Sequence, residues 1–470
     1  MPGGRRRRNR GIRPVVVCAT TLTLALAVGC AGTATERDAA WPAGPDPITE
    51  AEALEVFDFA WARVYETYYD TTFGGLDWHE VGAELRPRAA RAGRVSVLRG
   101  IIAEMLDHLG DSHFGVIPAE HADALDPEAV EGARGEPGTV GIELRVVDDE
   151  LVVFRVAESS PARMAGVRPG WSLQRVDTTT AAGLLAVLDE VPHARPLAEA
   201  RLAVAAEARL AGRVGDTVTV AFQDGARRVV ARDLVSEPRT GMPVRFGNLP
   251  TMFTNLESQE VAIPQGCAGI IRFDVWMVPI MEEFERAFFQ LHHCDGFILD
   301  LRGNPGGVAG MAMAVSGYFM TERQTLGVMR TREQELNIVS MPRRVTLAGQ
   351  SMIPFQGPLA LVVDGQSMST TEIFTAGLQG LGRARVFGET TGGQALPALM
   401  VRMPNRDILM YAFADFVGPD GTRIEGRGAI PDTSVPLTRE GLLAGQDRAL
   451  SAAVDWIVDV ARSRPTQEGQ

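Results

Sequence analysis

The stretch LALVVDGQSMSTTEIFTAG (359–377) decides the fold of this 470-residue chain. LALVV is an apolar run of strand length, DGQSMS is a small polar turn, and TTEIFTAG has helical spacing. α/β enzymes often expose a nucleophile where a strand ends in such a turn before a helix. The candidate hydroxyls are those of Ser367, Ser369, Thr370 and Thr371. Because a hydroxyl is a weak nucleophile until a base removes its proton, the chain must also supply a base.

Strand and helix patterns alternate on both sides of this stretch. CAGIIRF (267–273) and GFILDLR (296–302) are strand-like, and the helical pattern VPIMEEFERAFFQLHH (278–293) separates them. After the opening stretch comes a further strand pattern, ARVFGE (384–389). This alternation predicts a mainly parallel sheet with helices packed on it, which is an α/β core.

Two other regions precede this core. Residues 48 to about 125 have helical periodicity and predict an N-terminal helical domain. Residues 136–236 carry several short strand patterns and predict a small β domain. Residues 236–260 are expected to be a linker or surface segment, and the core is expected to occupy residues 240–460.

The first 30 residues have the layout of an export signal, with a basic segment followed by the apolar VVVCATTLTLALAV (15–28). The ending AVGC (27–30) resembles a bacterial lipobox, with Cys30 as the lipidated residue and residues 31–47 as a tether. An ordinary cleaved signal or a retained membrane anchor is the alternative. No later stretch is apolar for long enough to span a bilayer. The sequence thus predicts an exported bacterial cell-envelope protein that a lipid anchor holds at the membrane.

Charge and composition exclude some classes of partner. The formal net charge is −13, and loss of the six arginines in the signal would leave about −19. Such an acidic protein is not expected to bind nucleic acid. All of the basic side chains apart from histidine are arginine, since the chain contains no lysine. The sequence shows no HExxH motif and no Cys/His cluster with ligand spacing, so neither a metal nor a cofactor is predicted.

Cys267 and Cys294 remain once the signal is removed and Cys30 is assigned to the lipid. Each stands two residues before a glycine-led strand pattern. If the two strands are parallel neighbours, the cysteines lie side by side, and an oxidising compartment would allow a disulfide. Two unpaired small core residues are the other interpretation.

Several motifs occur in an order that resembles the C-terminal-processing (tail-specific) serine peptidases and their tricorn-protease relatives. They are HLGDSHFGVIP (108–118), GFILDLRGNPGGVAG (296–310), the turn GQSMSTTE (365–372) and DGTRIEGRGAIPD (420–432). The segment GIELRVVDDELVVFRVAESSPARMAGVRPG (141–170) resembles part of a PDZ domain. The resemblance implies a multidomain α+β protein: a crotonase-like ββα catalytic core, an inserted PDZ-like domain and an N-terminal helical domain. It implies hydrolysis of peptide bonds without a metal or cofactor.

The same resemblance assigns a nucleophile and a base. The second serine of the family's SxSxxE motif is the nucleophile, which is Ser369 here, although a helix N-cap is an alternative role for this residue. The bacterial processing branch places a lysine base twenty-five residues later, where this chain has Gln394. The tricorn-like branch takes its base from a DSH motif, which implies His113. His108 is the nearest competitor.

Two supporting residues complete the implied Ser-His-Ser-Glu tetrad. Ser112 precedes the histidine, and Glu425 in IEGRGAIPD matches the distant glutamate, which would orient the imidazole through Ser112. Glu389 is the alternative acid. The family's oxyanion hole implies backbone N–H donors from the glycine-rich loop and from the residue after the nucleophile. The corresponding residues are Gly306 or Gly307, and Thr370.

The PDZ-like segment implies a polypeptide partner, captured through its C-terminus along an edge strand at TVGIELR (139–145). The family's Gly-Asp is replaced here by Gly170-Trp171, so the peptide preference is left open. A non-catalytic lipoprotein that binds a peptide or ligand on the same fold is the alternative function. An acyl-CoA enzyme is a third interpretation, which would leave the PDZ-like segment without a purpose.

Overall fold

A computed structural model describes residues 47–119, 137–190, 195–244, 252–264 and 266–463, and the structural statements below concern these residues. The export signal, Cys30 and the tether up to residue 46 lie outside them. Within the described part of the chain, no helix is both long and apolar enough to cross a membrane. The α-helices in chain order are α1 (Glu50–Thr67), α2 (Trp78–Ala90), α3 (Val95–Asp107), α4 (Pro161–Met164), α5 (Ala181–Leu185), α6 (Arg195–Leu210), α7 (Ile280–Leu291), α8 (Ala309–Ser316), α9 (Thr370–Gly380), α10 (Arg439–Leu443) and α11 (Arg448–Ser463).

The strands range from two to eight residues in length. In chain order they are β1 (Gly115–Ile117), β2 (Gly138–Thr139), β3 (Ile142–Val147), β4 (Glu150–Val156), β5 (Ser172–Val176), β6 (Thr179–Thr180), β7 (Thr217–Gln223), β8 (Val229–Val235), β9 (Glu237–Pro238), β10 (Met242–Val244), β11 (Met252–Thr254), β12 (Leu256–Ile263), β13 (Gly266–Phe273), β14 (Gly296–Asp300), β15 (Thr325–Thr331), β16 (Glu335–Val339), β17 (Leu359–Val363), β18 (Arg385–Gly388), β19 (Ala398–Arg402), β20 (Ile408–Ala412), β21 (Ala414–Val417) and β22 (Thr433–Ser434).

The N-terminal helices pack around a core of their own, and the strand that follows them pairs with the C-terminal half of the chain. Helix α1 starts at a capping box, in which Thr49 and Glu52 satisfy each other's backbone N–H groups. Its apolar stripe packs against α2 and α3 around Phe57 and Trp78. Strand β1 follows α3 and pairs antiparallel with β20, more than 290 residues later. This pairing carries the GDSHF segment between α3 and β1 to the C-terminal half of the chain.

The second region is a six-stranded sheet, in which five strands follow the order β3-β4-β5-β7-β8 and β6 pairs with β5. Helix α6 packs against β3, the strand at one end of this order. Alternate residues of β3 and β4, such as Leu144 and Val153, are fully buried in a separate core. These strands bury one apolar set because side chains in a strand point alternately to opposite faces.

The core is a six-stranded sheet of order β12-β13-β14-β17-β18-β22. Strands β13 to β22 run parallel in this order, which agrees with the α/β prediction, and β12 pairs antiparallel with β13. The prediction of a linker or surface segment over residues 236–260 did not foresee that the chain from residue 256 onward pairs with β13 as strand β12. Its sequence LESQEVAI has four polar and four apolar residues because β12 is an exposed edge strand, so it lacks the apolar run by which the inner strands are found.

Both faces of the core sheet are covered. Helices α7, α8 and α9 share one apolar cluster with the sheet, and α11 packs on the other face with Ile457 among Ile270, Ile298 and Val362. Cys267 and Cys294 form a disulfide between the beginning of β13 and the turn that follows α7. The parallel pairing of Ala268 with Gly296 brings the two cysteines together.

Candidate active site

Ser369 stands at the junction between strand β17 and helix α9, at the carboxyl end of the parallel sheet. Its backbone has φ +56° and ψ −119°, a conformation that costs about 1–3 kcal/mol for a residue with a side chain and is found mainly at functional sites. The residue is 1% exposed. Its Oγ has no hydrogen-bond partner among the described residues, although buried hydroxyls normally have one. The chain therefore holds an unpaired hydroxyl in a strained turn.

Neighbouring hydroxyls maintain this turn. Ser367 Oγ donates to the carbonyl of Leu301 at 2.8 Å and accepts the backbone N–H of Asp364 at 3.0 Å. Thr371 Oγ1 donates to the carbonyl of Asn304 at 2.9 Å. Both side chains tie the turn to the glycine-rich loop after β14, so neither is available as a nucleophile.

His113 lies in the segment that β1 brings to the core. It has φ +62° and is 2% exposed. Its Nδ1 is 2.7 Å from Ser112 Oγ, and the backbone N–H of Ser112 donates to Glu425 Oε1 at 2.8 Å. The other oxygen, Oε2, accepts the backbone N–H of Ala395 at 2.8 Å. Three of the four predicted tetrad residues are thus connected in one buried cluster.

Burial sets the protonation of this cluster. Desolvation, together with the positive charge of Arg201, lowers the pKa of His113 to about 4. The imidazole is therefore neutral at pH 7, which is the form that can accept a proton. Desolvation raises the pKa of Glu425 to about 7, although hydrogen bonds from Ser112 and Ala395 act in the opposite direction.

The link between the nucleophile and this cluster runs through backbone groups. The N–H of Ser369 donates to the carbonyl of Gln394 at 2.9 Å, and the next residue, Ala395, donates to Glu425. Ser369 Oγ itself makes no hydrogen bond to His113 in this conformation.

The competing residues identified in the sequence lie elsewhere. Glu389 accepts the backbone N–H of Leu437 at 2.9 Å and has no hydrogen bond to Ser112. His108 is exposed at the end of α3, with Nδ1 2.8 Å from the carbonyl of Glu104.

The glycine-rich loop is pressed against the nucleophile. Gly306 has φ +102°, and a Cβ at this position would lie 2.7 Å from Ser369 Cβ and 2.9 Å from the Thr370 backbone N. The Gly306 N–H already donates to Asn304 Oδ1 at 3.0 Å. Of the two glycine donors expected for the oxyanion hole, Gly306 is therefore engaged in this conformation. Gly307 contributes its carbonyl, which accepts Thr370 Oγ1 at 2.9 Å.

Glu372 is the glutamate of the SxSxxE motif, to which the sequence analysis gave no role. The side chain is fully buried and accepts four hydrogen bonds, from the hydroxyl of Thr391 and the backbone N–H groups of Ser369, Gly393 and Gln394. Desolvation raises its pKa to about 7. Glu372 therefore fastens the nucleophile turn to the 391–395 loop. The available signal was its place three residues after the serine, where a carboxylate can reach back to the N-cap N–H.

Sequence reasoning also missed a link between the β-rich region and the turn. Arg145 Nε lies 2.7 Å from Asp364 Oδ2, with side chains that are 7% and 8% exposed. Gln366 Nε2 donates to the carbonyl of Leu144 at 3.2 Å. The N–H of Leu144 in turn donates to Glu207 Oε1 at 2.6 Å. Strand β3, the expected peptide-binding edge, is thus partly closed at Leu144 by contacts from α6 and from the nucleophile turn.

Two family models match parts of this chain, and curated relatives match most of it. Residues 268–435 match the model of peptidase family S41, and residues 49–107 match the tricorn protease C1 domain. The chain is 25% identical over 388 residues to the chloroplastic carboxyl-terminal-processing peptidase 3 of Arabidopsis thaliana, an alignment that covers 79% of this chain and 67% of that protein. It is 23% identical over 340 residues to a probable CtpA-like serine protease of Staphylococcus aureus, covering 72% of this chain and 60% of the relative.

Solved structures share the fold at low identity. A photosystem II D1 C-terminal processing protease superposes with a TM-score of 0.55 at 20% identity, covering 84% of this chain and 98% of the other. Mature CPAF complexed with lactacystin superposes with a TM-score of 0.57 at 14% identity, covering 88% and 98%. The match of residues 268–435 to peptidase family S41, together with the C-terminal-processing and CtpA-like relatives, indicates a serine-type peptidase, and residues 49–107 are similar to the tricorn protease C1 domain.

Proposed function

We propose that the protein is an exported serine endopeptidase that uses a histidine base, with Ser369, His113, Ser112 and Glu425 as its tetrad. One observation carries the proposal: the buried Ser112–His113–Glu425 cluster adjoins an unpaired serine hydroxyl in a strained strand-to-helix turn. A Ser-Lys mechanism is excluded because the chain contains no lysine and has Gln394 at that position.

The expected reaction follows from the protonation of these groups. With Nδ1–H donating to Ser112 Oγ, the free lone pair of His113 is on Nε2. After rotation of the Ser369 side chain, Nε2 removes the hydroxyl proton as Oγ attacks the peptide carbonyl, and it then protonates the leaving amine. Water repeats the sequence to release the acyl group. Ser112 and Glu425 stabilise the imidazolium, whose formation burial otherwise disfavours.

The glycine-rich loop is proposed to bind the oxyanion. Gly307 and Thr370 are the backbone donors that we assign, because Gly307 accepts the Thr370 hydroxyl and Thr370 directly follows Ser369. Binding of a tetrahedral intermediate in this loop would stabilise negative charge on the former carbonyl oxygen. Gly306 itself serves by being small, because a side chain there would collide with Ser369.

We further propose a crotonase-like core and a PDZ-type module over residues 136–236 that receives the C-terminus of a polypeptide. The support is the six-stranded sheet with α6 beside its end strand, β3. The proposed location is the bacterial cell envelope, with Cys30 lipidated. One relative is a chloroplastic peptidase and another is a bacterial CtpA-like protease, which is consistent with a protein that works outside the cytosol.

The test uses a fluorophosphonate probe, which labels activated serines. We expect the wild type to be labelled at Ser369, and Ser369→Ala and His113→Ala to lose labelling. Gln394→Ala serves as the matched control and should keep it, because only the backbone of Gln394 enters the proposed mechanism. Labelling that survives in His113→Ala would overturn the histidine-base mechanism.

A non-catalytic peptide-binding role is the second candidate. The observation in its favour is that Ser369 Oγ makes no hydrogen bond to His113 in this conformation. If this role is correct, the wild type resists the probe and leaves denatured polypeptides intact, yet still binds them. Cleavage of such a polypeptide by the wild type, with no cleavage by Ser369→Ala, would exclude it.

A further inference from the structure

Four side chains with metal-binding atoms converge at the edge of the core sheet, on the side away from Ser369 along the strands. They are Glu260 on β12, Cys267 at the start of β13, and His293 and Cys294 in the turn after α7. One ligand atom from each lies within 4.8 Å of the ligand atoms of the other three. The cysteines are joined as a disulfide, and His293 Nε2 lies 3.2 Å from Glu260 Oε2.

The donor set has the chemistry of a zinc site. Two thiolates, one imidazole and one carboxylate are ligands that Zn²⁺ accepts, in a four-coordinate arrangement with Zn–S near 2.3 Å and Zn–N near 2.0–2.1 Å. Tetrahedral ligands at those distances are separated by roughly 3.5–4 Å, and the four ligand atoms lie within 4.8 Å of one another. Only the sulfur atoms have to move apart, since a disulfide cannot supply two thiolates.

The surroundings allow entry of an ion and hold the ligands in place. The side chains of His293 and Glu260 are 62% and 51% exposed, so the cluster opens to solvent. The cysteines are 5% and 4% exposed and belong to neighbouring parallel strand ends. Asp295 Oδ2 accepts the backbone N–H of Cys267 at 3.2 Å, which ties the two sulfur-bearing segments together independently of the disulfide.

We propose that reduction of the Cys267–Cys294 disulfide converts this cluster into a Zn²⁺ site formed by Cys267, Cys294, His293 and Glu260. A dithiol reductant transfers two electrons and two protons to the disulfide and itself becomes a cyclic disulfide. Zn²⁺ then displaces the two thiol protons and is bound by two thiolates, neutral His293 and ionised Glu260. The disulfide and the metal are alternative cross-links between the same two segments.

This inference is independent of the peptidase function and is tested without an activity assay. The purified protein is reduced with a phosphine, whose oxide takes its oxygen from water, and the phosphine is removed without air. Titration with Co²⁺ should give one equivalent bound, with the intense visible bands of a tetrahedral site and thiolate-to-metal charge transfer in the ultraviolet. Zn²⁺ should displace the Co²⁺, and the oxidised protein should give neither signal.

Variants separate this site from adventitious binding to thiols. His293→Ala and Glu260→Gln should each weaken Co²⁺ binding at least about tenfold. His292→Ala is the matched control and should bind like the wild type, because His292 packs against Phe288 and Phe355 and is outside the cluster. Absence of binding by the reduced wild type would overturn the proposal, as would unchanged affinity in both His293→Ala and Glu260→Gln.

A second measurement tests the proposal if reduction of the disulfide makes the protein lose its tertiary structure. If the reduced protein loses near-ultraviolet circular dichroism, stoichiometric Zn²⁺ should restore the signal in the wild type and in His292→Ala. Failure of Zn²⁺ to restore it would also overturn the proposal.

Discussion

Replacing Arg145 with methionine should destabilise the turn that carries Ser369, although Arg145 itself lies on strand β3. The guanidinium is paired with Asp364 at 2.7 Å, and both side chains are almost fully buried. Removing one partner of a buried pair typically costs about 3–5 kcal/mol, because the other charge is left without compensation. Burial alone would raise the pKa of Asp364, and the charge of Arg145 is the main reason that this pKa is instead below its usual value. Part of the cost would therefore be relieved by protonation of Asp364.

The structure also predicts an effect on the nucleophile. Asp364 accepts the backbone N–H groups of Gly303 at 2.9 Å and Gln366 at 3.0 Å, so it joins the glycine-rich loop to the turn that ends at Ser369. A displacement of about 1 Å in such a turn can lower a rate about a hundredfold. We expect Arg145→Met to lose about 3 kcal/mol in the free energy of unfolding. We also expect fluorophosphonate labelling of Ser369 to be slowed at least about tenfold.

The assay is denaturant unfolding alongside the labelling rate, with a matched control. Arg155→Met removes an arginine from a neighbouring strand whose ion pair with Glu143 is partly exposed, at 31% and 34%. That change should cost within about 1 kcal/mol and leave labelling unchanged. Adding Asp364→Asn to Arg145→Met should recover part of the stability. If Arg145→Met behaves like Arg155→Met in both measurements, the buried pair does not support the turn.

Three further predictions concern the site itself. Gly306→Ala should abolish fluorophosphonate labelling, because its Cβ would lie 2.7 Å from the Cβ of Ser369. Gly310→Ala is the control and should be labelled normally, because a Cβ there meets nothing within 4 Å. Equal labelling of the two variants would contradict the close contact. Glu425→Gln should reduce kcat at least about tenfold, since the carboxylate faces Ser112. Glu389→Gln should have little effect, and the reverse order of the two kcat values would reassign the acid. Burial raises the pKa of Glu372 from 4.5 to about 7, so the folded protein favours the protonated carboxyl. The contribution of this group to the free energy of unfolding is therefore complete below pH 4.5 and is lost as the pH rises through 7. The free energy of unfolding of the wild type relative to Glu372→Gln should therefore fall by about 3 kcal/mol from pH 4.5 to 8 in denaturant titrations, and a difference independent of pH would refute the shift.

Local pattern was sufficient for the main elements of the core. The buried strands are continuous apolar runs and the helices have helical spacing, so the parallel α/β sheet and the strand–turn–helix around Ser369 followed from the sequence. Strand β12 did not, because half of its residues are polar and its place at the edge is defined by pairing with β13. The sequence did not decide whether Cys267 and Cys294 are bonded. The structure contains the disulfide, because β13 and β14 are adjacent and parallel.

The sequence by itself determined the residue types available for chemistry. With no lysine in the chain, the base for Ser369 had to be sought among the histidines, and the motif order pointed to His113. Only the tertiary structure decided which groups meet. Pairing of β1 with β20 brings the segment of His113 to Glu425, which lies over 300 residues later, and burial then determines the protonation of both.

The same distinction explains the predicted absence of a metal site. Glu260, Cys267 and the His293–Cys294 pair have no recognisable ligand spacing, because they come from an edge strand, the next strand and the end of a helix. Spacing motifs report ligands that share one local element. Ligands from separate elements come together only when long-range pairing and packing place those elements side by side, and a linear pattern carries no record of that.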